Sequence, residues 1–175
     1  MATFPERLLR ACLLDAELYE EVEADAGAGR QALATVLLSS AAVGIGGIAN
    51  SGAEGILVQI VCAVVGWWSW AYTTYFIGAK LLPTPETSAD PGQLLRTMGF
   101  AGAPGIVRLL MLVPVLAFPA WVLGTLWELV AMVVAVRQAL DYPSTLRAIV
   151  VAAIGFPVYA ITLLASVLYL GPWPI

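Results

Sequence analysis

Arg108 and Glu128 are the two ionisable residues that fall inside the apolar runs of this 175-residue chain. A charge in hydrocarbon is costly enough to mark a functional candidate by default, and its natural partner is an opposite charge. Counted from a turn at Pro119, Arg108 lies eleven residues back and Glu128 nine forward. At about 1.5 Å per residue, their depths then differ by about 3 Å. Three readings are open: pairing across the hairpin, snorkelling of Arg108 to the headgroups, and a solvated path for protons or ions. The last calls for further carboxylates or histidines in other spans, and the sequence supplies none.

Other chemistry is sparse. The chain has no histidine, which removes the usual catalytic base, haem ligand and commonest zinc ligand. No cofactor or metal is expected. Ser39, Ser40, Thr73 and Thr74 lie in apolar runs, but a serine nucleophile needs a base and Lys80 is the only lysine. Hydroxyls in such runs are more often bonded to their own helix carbonyls. Cys12 and Cys62 read as small apolar residues. The residues therefore point away from an enzyme.

With 61% hydrophobic and 11% charged residues, the chain is far more apolar than soluble domains, about a quarter of whose residues are charged. The expected architecture is an all-α polytopic bundle of five transmembrane helices, residues 31–175, after a cytoplasmic amphipathic helix and linker, residues 1–30. Spans are predicted at about 31–49, 56–80, 99–118, 120–139 and 146–170. The turn near Asn50, Ser51, Gly52 and Gly55 joins the first two. Gly44, Gly46 and Gly47, and the Gly99/Ala103 and Ala101/Gly105 pairs, are the small residues that let helices approach. Pro104 and Pro114 should break the third span. Pro83–Gly92 is a polar, proline-rich loop, and Ser144 and Thr145 are suited to cap the fifth span.

Seven of the eight basic residues sit in alternate connections: Arg7, Arg10 and Arg30, then Lys80 and Arg96, then Arg137 and Arg147. Basic flanks stay in the cytoplasm. The expected location is the cell (inner, cytoplasmic) membrane, with the N-terminus inside and the C-terminus outside. The chain opens on a charged helix rather than a short apolar segment with a cleavage site, so no signal peptide is expected. From Phe4 to about Glu23, Leu8, Leu9, Cys12, Leu13, Ala16 and Tyr19 recur at helical spacing opposite Arg7, Arg10, Glu17, Glu20 and Glu21. One amphipathic helix is predicted, lying either on lipid or on the bundle. The acids before the first span make nucleic acid an unlikely partner.

Trp67 and Trp70 fall mid-span, away from the interfacial belt where aromatics gather. Either they pack with their indole N–H groups on polar partners, or they line a ligand groove. A groove shared by Trp67, Trp70, Trp127, Arg108 and Glu128 would favour transport; a dry, close-packed pair would remove it.

The segments LLDAELYEEVEADAGAGRQAL, LLRTMGFAGAPGIVRLLMLVPVL and WELVAMVVAVRQALDYPSTLRAIVVA, in this order, resemble a prokaryotic member of the Yip (Ypt-interacting-protein) family over nearly the whole chain. Arg96, Gly99, Phe100, Pro104, Trp127, Tyr142, Ser144 and Arg147 carry the resemblance. It implies five spans and a cytosolic N-terminus. Eukaryotic members act in vesicle traffic and associate with Rab-type GTPases. This chain departs from them in lacking a long N-terminal domain and a DLYGP-like motif, which counts against a GTPase partner. Lipid bilayer is the expected surrounding, with a homo-oligomer or other membrane proteins left open as partners. A non-enzymatic protein that organises membrane or scaffolds partners is the leading functional expectation. The alternative is a small transporter, channel or lipid-flipping protein that uses a broken third helix and the Arg108/Glu128 pair.

Overall fold

A computed structural model describes the backbone of residues 2–170, and the side chains among them except 49–51, 163 and 165–170. Residues 171–175, after the predicted fifth span, lie outside the described residues. The described chain is all helical. Two short helices, α1 (Phe4–Cys12) and α2 (Ala16–Ala24), precede α3 (Gly29–Gly46), α4 (Ile48–Tyr75), α5 (Pro91–Phe100), α6 (Pro114–Ala139) and α7 (Thr145–Leu170). Five segments are long and apolar enough to cross a membrane: Ala26–Gly46, Gly52–Leu81, Pro91–Leu112, Pro114–Ala139 and Thr145–Thr162.

The first hairpin turns at Gly52, whose φ of 63° suits a residue without a Cβ. Its two arms run close because α3 offers glycine there. A Cβ on Gly44 would come within 2.8 Å of the Ile56 Cα. The α4 helix then widens to a π-helical turn over Phe76–Leu81, a feature with no sequence cue.

The third crossing is broken as the prolines predict, but by a change of helix type. After α5 it continues as a 3₁₀ helix over Ala103–Leu112. The second hairpin also lies elsewhere than the sequence suggests. It turns at Val113, which is extended (φ −96°, ψ 111°), and Pro114 opens α6. Steric pressure from a proline ring pushes the preceding residue out of the helical region, and proline is well placed in the first turn of a helix. Pro119, read as the turn, lies inside α6. Packing links α3 to α4 and to both halves of the third crossing, α6 to the 3₁₀ segment, and α7 to α4 and α6.

The N-terminal segment is two helices rather than the single one predicted. Leu14 takes a positive φ of 60°, and Asp15 caps α2 by accepting the Glu17 N–H at 3.0 Å. The resulting α1–α2 hairpin docks on the bundle, burying Leu18, Tyr19 and Val22 of α2 completely. Arg7 is only 2% exposed. Its guanidinium donates to Glu21 at 2.8 Å, Asp25 at 2.9 Å and Gln31 at 2.8 Å. Arg10 joins Asp15 at 2.7 Å and Glu21 at 2.6 Å. The Arg7 hydrogen bond holds the carboxyls of Glu21 and Asp25 below their ordinary values, and Arg10 does the same for Asp15.

Candidate functional site

Three residues per turn align side chains three apart on one edge of a 3₁₀ helix. On the third crossing that edge carries Gly105, Arg108 and Met111, all buried, while Leu109, Leu110 and Leu112 face outward. The edge lies against α6, where Gly124 stands beside the Arg108 side chain and Glu128 beside Gly105. From the level of Gly124, the arginine reaches one helical turn along α6. Its Nη2 meets Glu128 Oε2 at 2.6 Å and Thr125 Oγ1 at 3.1 Å. The side chains are 9% and 21% exposed. Arg108 thus faces a carboxylate inside the bundle, and the snorkelling reading is set aside.

Ser39 of α3 donates to Glu128 Oε1 at 3.2 Å, so the pair fastens three crossings together. Gly105 makes room for it: a Cβ there would overlap both Glu128 Oε1 and Ser39 Oγ. Ser40 and Thr73 bond to their own helix carbonyls at 3.1 and 2.8 Å; Ser39 and Thr74 depart from that expectation, the Thr74 hydroxyl being buried without a partner. Arg108 Nε likewise has no partner.

The pair forms one wall of a cavity of about 270 Å³. Trp67, Trp70, Phe156 and Tyr159 form an aromatic wall, and Ser39, Ser40, Gln59 and Thr125 add polar groups. Trp70 stacks on Tyr159 with ring centres 4.9 Å apart and meets Phe156 edge-on at 5.6 Å. Both tryptophans also satisfy their N–H groups, Trp67 on the Leu95 carbonyl at 3.1 Å and Trp70 on that of Ala152 at 3.3 Å. Packing and lining are therefore combined in the same residues. Trp127 is not brought to the cavity. Its indole donates to the Cys12 carbonyl at 2.9 Å and ties α6 to the end of α1.

Sequence reasoning missed Gln59, the one side-chain amide in the second crossing, whose Oε1 is buried without a partner. Its isolation in an apolar run was the available signal. Phe156, Tyr159, Thr125 and Gly124 carried no signal of their own, because their roles depend on how α6 and α7 face the third crossing.

The residues that carry the family resemblance gather mostly elsewhere, near the ends of the crossings on the N-terminal side. Arg96 Nε donates to the Val22 carbonyl at 2.9 Å, and its Nη2 to that of Glu23. Gly99 lies against Ala32 of α3, Phe100 is buried edge-on to Phe4 at 6.4 Å, and Pro104 is buried in the 3₁₀ segment. The Tyr142 hydroxyl donates to the carbonyls of Gly78 and Leu82, each at 2.9 Å, and burial raises its pKa. Arg147 covers the Tyr142 ring at 5.4 Å and donates to the Pro83 carbonyl at 3.2 Å. The exposed Ser144 contributes its carbonyl to the first turn of α7, accepting the Ala148 N–H at 3.3 Å. These contacts bind α2 and two loops to the bundle.

Glu23 has an unusual setting there. It accepts from Gln93 at 2.9 Å, yet burial, with Asp141 and Glu20 nearby, pushes its carboxyl up to about 7.

No curated protein and no solved structure matches the chain. The family model of the Yip1 domain matches residues 16–167, which runs from the first residue of α2 into α7 and takes in all five crossings and the α2 seam. The chain belongs to the Yip1-domain family of multi-pass membrane proteins.

Proposed function

We propose that this protein is a non-enzymatic organiser of the membrane around it, seated in the cell membrane with its N-terminus in the cytoplasm and its C-terminus outside. The observation that carries this reading is the pairing of the intramembrane charges with each other. Glu128 spends its two oxygens on Arg108 and Ser39, and these bonds tie α3, the third crossing and α6 into one frame. A paired, hydrogen-bonded charge set of this kind acts as structure as long as nothing carries a proton onward from it. The orientation is supported by the seven basic residues of the alternate connections. Partners would then be lipid, further copies or other membrane proteins held at the bundle surface.

A second reading, a small transporter or lipid-flipping protein, is favoured by one observation: the pair borders a cavity that also has Trp67 and Trp70 in its wall. Reconstitution into vesicles separates the two. Proton flux and dithionite-accessible exchange of labelled lipid should match protein-free vesicles. A flux that Glu128→Gln abolishes would replace the organiser with the transporter.

A further inference from the structure

The cavity beside Arg108 and Glu128 leaves two of its own polar residues unsatisfied. Gln59 and Arg108 are each 8% exposed, yet Gln59 Oε1 and Arg108 Nε have no hydrogen-bond partner. Other polar groups of the wall are spent on the protein itself. Ser39 donates to Glu128, Ser40 and Thr125 donate to carbonyls of their own helices, and the indoles of Trp67 and Trp70 donate to the Leu95 and Ala152 carbonyls. What stays open is one buried acceptor and one buried donor, and a hydroxyl group can answer either kind. Polar groups left unpaired in an interior are costly, so an occupant that pairs them is favoured.

Size, charge and access narrow the occupant. A space of about 270 Å³ is room for about nine waters at roughly 30 Å³ each, and each would need about two to four polar partners. The aromatic wall cannot supply them, so water suits only the polar end. Arg108 and Glu128 are the charged residues of the wall and offset each other. A charged ligand would therefore be buried there without a free counter-charge. Among the lining residues the exposed ones are Trp121 at 41% and Leu129 at 40%, both on α6. Trp121 lies seven residues, about 10 Å, from the start of α6, and Leu129 ten residues, about 15 Å, from its end. The mouth is thus on the flank of a crossing, where the medium is hydrocarbon and not water.

We propose that this cavity binds an uncharged lipid bearing a hydroxyl, of the diacylglycerol class, which enters sideways from the bilayer past Trp121 and Leu129. Its hydroxyl answers the open groups of Gln59 and Arg108, and its apolar part lies against the rings of Trp67 and Trp70. Occupancy is an equilibrium property. The inference therefore holds whether the protein organises lipid or moves it, and its failure would leave that choice to the flux measurement.

The test uses the full chain in phosphatidylcholine vesicles, with tryptophan fluorescence as the readout and diacylglycerol brominated on its chains as the probe. Quenching should saturate with the probe and exceed that by phosphatidylcholine carrying the same amount of bromine. Unlabelled diacylglycerol should reverse it, and phosphatidic acid should not. Gln59→Leu keeps the volume of the side chain and removes the open acceptor, and should weaken the apparent affinity about tenfold, the worth of one hydrogen bond. Ala63→Phe, which fills the cavity from α4, should abolish saturable quenching. Equal quenching by the two brominated lipids would overturn the proposal, since it would mean contact with bulk lipid only. So would displacement by phosphatidic acid as effective as that by diacylglycerol, or an affinity that Gln59→Leu leaves unchanged.

Discussion

Two arginines of this protein are both buried and differently satisfied. Arg7, outside the crossings, has three acceptors from α2, the following segment and α3, and its carboxylate partners are 27–31% exposed. Arg108, inside them, has one carboxylate and one hydroxyl, leaves Nε unbonded, and borders a cavity. A saturated arginine at a wet boundary behaves as a clamp. An incompletely saturated one in an apolar interior is held in place by its counter-charge, and each member of that pair is expensive without the other.

The comparison can be broken most directly by removing one charge. Arg108→Ala strands Glu128 in the bundle and should cost about 3–5 kcal/mol in reversible unfolding from mixed micelles. The double replacement Arg108→Met with Glu128→Leu should restore stability to the original level or above it. A double variant as unstable as the single one would show that the pair does more than neutralise itself. Gly105→Ala comes next, since its methyl would overlap Glu128 Oε1 and Ser39 Oγ. Overpacking of this sort costs about 1–3 kcal/mol, and the Ser39 bond should be lost with it. Arg7→Ala should cost about 2 kcal/mol, less than Arg108→Ala because Glu21 and Asp25 can recover water. It should free α1, read as faster proteolysis within residues 1–25. A larger loss than for Arg108→Ala would reverse the ranking of the two sites.

The smallest expected effect is a pH dependence at the α2 seam. Glu23 is raised from 4.5 to about 7, chiefly by burial. The folded state therefore favours its protonated form. The seam is strongest below about pH 4.5 in this respect and weakens as pH rises to about 7 and beyond. Glu21, Asp25 and Asp15 have the opposite sign. Their pairing stabilises above their ordinary values and is lost as pH falls through the depressed ones. Glu23→Gln should flatten the slope between pH 5 and 8 in a melting series and leave the acid limb in place. An unchanged slope would show that Glu23 does not govern it.

The crossings were legible because each is a long apolar run bounded by polar residues, and the Arg108–Glu128 contact because unlike charges in hydrocarbon attract whatever the exact turn. The turn itself was misread. Pro114 and Pro119 are five residues apart, and a helix tolerates either near its start, so the sequence does not choose between them. The pair survived the misplacement because an arginine side chain covers a full helical turn. Phe4–Glu23 was read as one helix because its apolar period runs on through Leu13 and Ala16 to Tyr19, although Asp15 between them is a recognisable cap. Its inward-facing Arg7 defied the pattern, since periodicity identifies an apolar face and not which solvent that face meets. Trp127 looked like Trp67 and Trp70 in its apolar setting, but it leaves α6 toward α1, whereas they leave α4 toward the cavity.

The three-residue repeat of Ala103–Leu112 also constrains how this gene can change length. One residue inserted or deleted before Arg108 rotates the rest of that segment by about 120° relative to α6 and swings the guanidinium off its edge. Upstream of α5, the loop Pro83–Asp90 has no such phase to keep. Length variation among descendants of this chain should therefore collect in that loop and be nearly absent from the ten residues of the 3₁₀ segment.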